Sequence, residues 1–322
     1  MKNTFWIASL MFVFALYGCT GSDTPNDGAS GTDTTLSVDV DRFYSLSDPG
    51  TESIYDVAFM ADGRMVILYR KLDESQIFSS GDNGATWQAK FKFPVQTPIR
   101  CIAPRKQSTE LLFCGSITNG TQGRYYFLNS ALDAIILTKD VFGPSGAINY
   151  SFNQAIWRST DDIIGTMGSS SFSSGTFIVS DPSGVSGWVS HPPSANSNYC
   201  TALAQVGSTI YIGVDEYVSG VKSTSYISTS TNSGSSWTKY INSKQGTLPT
   251  DAPTSIASGS SGRLVFSYGT SHYFTMDGMT QWKNIQLPSS YSPLLIRKVL
   301  FDASNKLILV GDAGVLRSKV AL

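Results

Sequence analysis

An all-β fold, specifically a six-bladed β-propeller of four-stranded antiparallel blades closed by pairing of the N- and C-terminal strands, is predicted by three observations. A short pattern, Ser/Thr-x-Asp-x-Gly-x-Ser/Thr-Trp, stands complete at Ser80–Trp87 and returns in weaker copies. Each unit of the pattern ends in a proline, at Pro94, Pro144, Pro192, Pro249 and Pro288. Gly, Ser, Thr and aromatic residues are abundant, and no long segment carries a 3.6-residue period, which favours strands over helices. Self-similarity spaced by a few tens of residues marks a stacked or circular array.

The copies set the ruler. Ser80, Asp82, Gly84 and Trp87 fit fully; Ser230, Asn232, Gly234 and Trp237 repeat them with Asn for Asp. A looser copy holds Asp277 and Trp282, and a degraded one spans Ser180–Gly184 before Trp188. Upstream of the first box, Ile54–Met60, Asp62-Gly63 and Met65–Tyr69 read as strand, tight turn, strand, because Asp-Gly favours hairpins. Ser261-Gly262, Gly207-Ser208 and Ser304-Asn305 mark matching turns. Gln76–Ser79 supplies a third strand, and Trp87, Ala89, Phe91 and Phe93 alternate along a fourth. Proline lacks a ladder donor and so stops each unit. The last unit, Leu294–Val320, is one strand short, and Leu36–Tyr44 from the N-terminal side is expected to complete it. Such closure removes the open sheet edges of an array.

Ahead of the ring, residues 1–19 read as a targeting segment and 20–35 as a flexible tether, with the propeller over 36–322. Lys2 precedes an apolar run, Phe5–Leu16, too short to span a bilayer, which takes about 20 apolar residues. Leu16-Tyr17-Gly18-Cys19 resembles the lipobox of bacterial lipoproteins, which implies acylation of Cys19 and a lipid anchor; an ordinary secretory signal is the alternative. Thr20 carries no acidic inner-membrane retention cue, which points to the outer membrane. Thr20–Thr35 is almost devoid of apolar side chains and cannot offset its ordering entropy.

Charged residues make up 15% of the chain and the net charge is −1, which favours neither nucleic acid nor an anionic membrane surface as a partner. Cys101 and Cys114 fall on two adjacent strands, so a cross-strand disulfide and a pair of buried free thiols are both open; Cys200 is left over.

The box chemistry reads as structural. A hydroxyl and a carboxylate can accept backbone N–H groups inside a tight turn, Gly supplies a positive φ, and Trp covers the turn. These residues resemble the Asp-box, or BNR, repeat of sialidases and many non-enzymatic propellers. The resemblance implies boxes between the third and fourth strands of a blade, on the face away from the ligand. Asp82-Asn83-Gly84 lacks the further carboxylates a calcium loop needs.

The opposite face should carry the ligand. Its loops, Tyr69–Ser75, Ser116–Tyr125, Gly165–Gly175 and Asp215–Ser225, are unequal in length, as on a varied binding face. Inner strands aligned on Val57, Cys101, Ala155, Ala202, Ile256 and Val299 place Asp56, Arg100, Gln154, Thr201, Ser255 and Lys298 at one equivalent position, a polar ring at the channel mouth. Tyr150, Tyr199 and Tyr291 enter these strands. The ring either binds a ligand or faces channel water, and the tyrosines either form a platform or pack between blades.

A sialidase needs an arginine cluster for the substrate carboxylate, a Tyr/Glu nucleophile pair and an acid/base Asp. The ring contains one arginine, Arg100, and no Arg-Ile-Pro motif precedes the first box. His191 and His272 have no metal-ligand spacing, and the Gly/Ser-rich segments precede no helix that would cradle a phosphate. The expectation is a non-catalytic envelope lipoprotein whose propeller is a protein-binding or assembly scaffold. A glycan-binding propeller or a sialidase-like glycoside hydrolase is the alternative. No cofactor or metal, no nucleic acid, a monomeric state, and an envelope protein or glycan as partner complete the reading.

Overall fold

A computed structural model describes residues 35–44, 52–71, 74–94, 98–105, 108–117, 122–141, 150–157, 163–169, 176–180, 189–194, 197–240, 248–276, 279, 281–291, 294–311 and 314–322. The proposed signal, most of the tether, Cys19, Trp188 and Asp277 lie outside these residues, as do the side chains of Tyr150 and His191. No helix among the described residues is long and apolar enough to cross a membrane.

The strands run in chain order as β1 (Thr35–Ser37), β2 (Val40–Tyr44), β3 (Glu52–Phe59), β4 (Met65–Lys71), β5 (Glu74–Ser80), β6 (Gln88–Lys92), β7 (Ile99–Pro104), β8 (Leu111–Ile117), β9 (Gln122–Leu128), β10 (Ile135–Val141), β11 (Tyr150–Trp157), β12 (Ile163–Ser169) and β13 (Thr176–Ser180). They continue as β14 (Val189–His191), β15 (Ser197–Val206), β16 (Thr209–Val218), β17 (Val221–Ser230), β18 (Thr238–Tyr240), β19 (Ser255–Ser258), β20 (Leu264–Ser267), β21 (His272–Thr275), β22 (Lys283–Gln286), β23 (Ile296–Phe301), β24 (Lys306–Gly311) and β25 (Gly314–Ala321). They form an all-β propeller of mostly antiparallel sheets. Five sheets have four strands, β3–β6, β7–β10, β11–β14, β15–β18 and β23–β25 with β2; a further sheet holds β19–β22 with β1 as its fifth strand. The inner strands touch in sequence, β3 to β7, β11, β15, β19 and β23, and β23 returns to β3.

The N-terminal segment departs from the expected single closing strand. Val40–Tyr44 pairs antiparallel with β25, as chain-end closure requires, but Thr35–Ser37 pairs in parallel with β22 of the preceding sheet. The segment thus straddles two sheets, and Val38 and Val40 are buried in the cluster between them with Ala257, Phe274 and Leu309. The loop expected at Asp215–Ser225 also differs. Strands β16 and β17 run through it as a long hairpin and turn at Ser219-Gly220, with φ of 52° and 79°. Positive φ at both central residues matches the strand twist, so the Ser-Gly pair is the turn signal.

Between neighbouring sheets lie the apolar clusters. Leu68, Phe93, Phe113 and Tyr126 fill one interface, and Cys101, Cys114, Tyr125 and Trp157 the next. Cys101 and Cys114 are directly opposed in the β7–β8 register and stand as free, buried thiols, with burial pushing the Cys114 thiol well above its ordinary range. Cys200 is likewise free, its thiol pushed up to about 12 by burial.

The two best-formed boxes fold alike between a third and a fourth strand, at β5–β6 and β17–β18. The Ser80 hydroxyl accepts the Gly84 N–H at 2.7 Å and donates to Asp82 Oδ1 at 2.7 Å. Asp82 accepts from the Thr86 N–H (2.9 Å) and hydroxyl (2.6 Å), and the Trp87 indole N–H donates to the Gly84 carbonyl at 3.0 Å. In the second turn Asn232 Oδ1 accepts the Ser236 N–H at 2.9 Å, and its Nδ2 donates to the Ser236 hydroxyl at 2.8 Å. Reversing the direction of that one bond lets Asn replace Asp. Gly84 and Gly234 take φ of 87° and 91°, which disfavours any side chain there.

The hydrogen bonds from Thr86 and Ser80 hold the Asp82 carboxyl down at about 2. A depressed carboxylate contributes stability that is present above the ordinary carboxylate value and lost as pH falls towards 2. Asp82→Asn is expected to keep the turn, as Asn232 does, and to flatten this acid-side loss. Thermal melts of both proteins between pH 5 and pH 2 check it: parallel curves would contradict the assigned role.

Candidate functional site at the channel mouth

The mouth lies at the start of the inner strands. Glu52 at the start of β3 pairs with Lys71, whereas the Met65–Ser80 pairing lies at the end that carries the Asp82 turn, so mouth and boxes occupy opposite faces. Five inner strands carry a register shift in their first half, which leaves one residue extra: Tyr55, Arg100, Asn153, Thr201 and Arg297. In the sixth, Thr254 stands at the matching place, donating its N–H to the carbonyl of Ser267, the partner of Ser255. A β-bulge re-aims the extra side chain. All six of these residues line a cavity of about 390 Å³ at the mouth.

This corrects the predicted ring. Asp56, Gln154 and Lys298 follow a bulge and Ser255 follows Thr254 at the matching place, but Arg100 and Thr201 are bulge residues themselves, one place earlier. The true partners of Val57, Ala155, Ile256 and Val299 are Ile102 and Leu203, not Cys101 and Ala202. The apolar runs Cys101-Ile102-Ala103 and Ala202-Leu203-Ala204 fit either register, so alternation alone cannot choose between them.

The residues after the bulge have a different task. Asp56 Oδ2 accepts the N–H of Ile102 on the next inner strand at 2.9 Å. Gln154 Oε1 accepts the N–H of Leu203 at 3.0 Å, and the Ser255 hydroxyl accepts the N–H of Val299 at 3.0 Å. Each joins alternate neighbours in the ring and satisfies an N–H that no strand covers. The intervening junctions use other groups: Trp157 Nε1 to the Ala103 carbonyl (3.1 Å), the Thr201 hydroxyl to the Pro253 carbonyl (2.7 Å), and Lys298 Nζ beside Asp56 Oδ1 (3.4 Å). Gln154 Nε2 reaches the Thr254 carbonyl at 3.4 Å, two inner strands away. Asp56, Gln154 and Ser255 are therefore buried staples between strands.

What faces the cavity is a cationic rim with aromatic walls. Arg100, Arg297 and Lys298 line it together with Tyr55 and Tyr199. Arg70 and Arg297 both lie over the Tyr55 ring, at 5.1 and 5.7 Å from its centroid, within the range of attraction between a cation and an aromatic face. Tyr199 donates from its hydroxyl to Asn153 Oδ1 at 3.3 Å, and Asn153 Nδ2 donates to the Cys200 carbonyl at 2.7 Å. Arg100 has no hydrogen-bond or ion-pair partner among the described residues. The one carboxylate in the lining, Asp56, is committed to Lys298 and two backbone N–H groups.

Tyr291 does not join the mouth. It lines a separate polar cavity of about 290 Å³ with His272, Asn284 and Gln286 and packs on the cluster around Val38. His272 is pushed down to about 4 by burial, and its Nδ1 lies 3.1 Å from the Ser267 hydroxyl. Ser267 is itself fully buried, so its hydroxyl stands behind His272 rather than at the cavity surface. Among the described residues no group of three or more His, Cys, Asp or Glu side chains could hold a metal ion. Tyr55, Asn153, Thr254 and Arg297, absent from the predicted set, also line the mouth and are the additions to the candidate site.

Burial raises the Asp56 carboxyl above the ordinary carboxylate range, against the opposing pull of Lys298 and of the Ile102 and Val57 N–H groups. A raised carboxyl contributes stability in full below its unfolded value and loses it as pH rises through the folded one. Lys298→Met removes the opposing charge and leaves a buried carboxylate unpaired. The expected cost is about 3–5 kcal/mol at neutral pH, shrinking towards pH 4 as Asp56 protonates. Denaturant unfolding at the two pH values checks the trend, and a pH-independent loss would rule out the pairing.

No protein-family model and no curated protein sequence matches the chain. Solved structures do. The extracellular domain of the BT4673 two component system from B. thetaiotaomicron superposes with a TM-score of 0.57 at 14% identity over 86% of this chain; the chain spans 34% of that structure's length. YCF48 bound to D1 peptide superposes with a TM-score of 0.54 at 14% identity, covering 84% of this chain and 78% of that one. Trypanosoma rangeli sialidase in complex with the inhibitor DANA gives 0.58 at 12% identity, over 83% of this chain and 55% of that one. At these identities the likeness is one of fold, and the fold is the β-propeller.

Proposed function

We propose that this chain is a non-catalytic binding propeller of the cell envelope that docks an acidic segment of a protein partner at its channel mouth. Each of the six sheets is taken as one blade, and the Ser80–Trp87 and Ser230–Trp237 turns as BNR-type boxes that staple the opposite face. The observation that carries the reading is Arg100: a bulge turns it into the cavity, and it has no counter-charge among the described residues. With Arg297 and Lys298 alongside and Asp56 engaged by Lys298, the rim offers charge to an incoming carboxylate, and a guanidinium fork suits that partner. YCF48, of like fold, has been seen bound to a peptide, which supports peptide capture by such a scaffold. Anchoring through a lipid on Cys19 at the outer membrane fits the lipobox-like Leu16–Cys19; secretion into the envelope or beyond is the alternative.

A second reading has its own observation. Tyr55 and Tyr199 stand beside the cations, and aromatic faces next to guanidinium groups also suit an acidic glycan, bound or cleaved as in a sialidase-like enzyme. Crosslinking and affinity capture of the lipidated protein from its own envelope separates the two. The docking account expects one stoichiometric protein partner, lost on Arg100→Glu with Arg297→Glu at an unchanged melting temperature, and weakened by salt. Retention on an acidic polysaccharide that survives protease treatment of the bound material would transfer the assignment to glycan. Turnover of a fluorogenic sialoside that disappears on Arg100→Ala would make the protein an enzyme.

A further inference from the structure

The cavity beside Tyr291 opens at the same end of the sheets as the mouth. His272 opposes Ser267, and Ser267 opposes Ser255 at the start of inner strand β19, so all three stand at the mouth end. The cavity, about 290 Å³, forms between the β20–β21 turn, the end of β22 and the segment that leads into β23. Leu294 lines it, and the next two residues, Leu295 and Ile296, line the mouth, so one stretch of chain divides the two spaces. Polar groups make up most of its wall, yet none of the described residues lining it is charged.

His272 gives this cavity a directed group. The residue is only 2% exposed, and its Nδ1 lies 3.1 Å from the Ser267 hydroxyl, which is fully buried and has no other partner among the described residues. If Nδ1 carried the proton, the Ser267 hydroxyl hydrogen would be buried without an acceptor. The hydroxyl therefore donates to Nδ1, which fixes the tautomer with its proton on Nε2. Nε2 has no partner among the described residues and keeps accessible surface, so its N–H donates into the cavity. With burial pushing the imidazole down to about 4, the ring is neutral at pH 7, and the cavity offers hydrogen bonds without charge. A charged ligand would lose its hydration there without gaining a counter-ion. The volume sits near the lower end of ligand cavities, about 300–1,000 Å³, which suits one small ring rather than a length of chain.

We propose that this cavity binds one neutral sugar ring, with a sugar oxygen accepting the His272 Nε2–H. Hydroxyls that each donate and accept match a wall of uncharged polar groups, and the sugar brings no charge that the cavity cannot answer. The site is separate from the cationic mouth and does not rest on what the mouth binds.

The chain has two histidines, so nitrogen-15 labelling of histidine alone makes the His272 ring a direct probe, with His191→Gln to assign the signals. At pH 7 the free protein is expected to show His272 protonated on Nε2. Glucose, galactose, mannose and N-acetylglucosamine, each as the free sugar and as its methyl glycoside, are then titrated in. At least one is expected to move the His272 Nε2 resonance saturably. An equal response to the methyl glycoside supports the end unit of a glycan as the source, and a response lost on methylation supports a free sugar. His272→Phe, similar in size, should weaken binding about fivefold in ligand-observed saturation-transfer NMR, as loss of one hydrogen bond does. Arg100→Ala should leave binding as it is. A proton on Nδ1, no saturable shift with any of the four sugars, an unchanged affinity in folded His272→Phe, or loss of the response in Arg100→Ala would each overturn the assignment. The first two are read on the parent protein, so the test stands even where a variant misfolds.

Discussion

The inner strand of each sheet is an edge strand, and that fact governs the rest of the structure. Its outer row of N–H groups faces a channel where no further strand can pair with it. An unpaired buried N–H costs about 1–3 kcal/mol, so a closed ring of such edges needs a source of acceptors. Here the source is side chains on the neighbouring inner strand. Asp56, Gln154 and Ser255 reach across to Ile102, Leu203 and Val299, and each also ties two sheets together at the axis. The apolar clusters between sheets supply bulk stability, but they would tolerate small slips along the strands. The directed bonds at the centre set the register of one sheet on the next.

In β3, β11 and β23 the bulges answer the same constraint, whereas β7 and β15 carry a bulge with no staple after it and β19 a staple with no register shift. A strand that must present a polar group to its neighbour and another to the channel within two residues cannot do both by strict alternation. An extra residue breaks the alternation locally, so that Tyr55 and Asp56, Asn153 and Gln154, or Arg297 and Lys298 serve the mouth and the staple in turn. Staple and channel-facing side chain therefore occupy adjacent positions on these strands. The half-buried cations at the mouth sit on the ring of inner strands that the staples tie together.

Much of this was legible beforehand. The boxes, the hairpin turns and the terminal prolines delimit the units because each rests on local chemistry: a positive φ at Gly84, a missing donor at Pro94, a hydroxyl at Ser80. Chain-end closure followed from counting strands. The split of the N-terminal segment between two sheets was not visible, since Thr35–Ser37 has no apolar pattern to betray a parallel partner. The bulge register was hidden for a related reason. Cys101 and Ala202 are small and apolar, and pass for core positions in either frame. The three consecutive apolar residues at Cys101–Ala103 and Ala202–Ala204 were the available signal that strict alternation had failed. Tyr291 stayed open between platform and packing because a tyrosine entering an inner strand can face the mouth or the neighbouring sheet, and only the packing around Val38 decides.

The most direct test of this account is amide hydrogen exchange at the channel edge. If staples complete the inner strands, the N–H groups of Ile102, Leu203 and Val299 will exchange only through global unfolding, as slowly as the paired amides of β4 and β8. Exchange at those three positions on the fast timescale of an open strand edge, with the paired amides still protected, would contradict it.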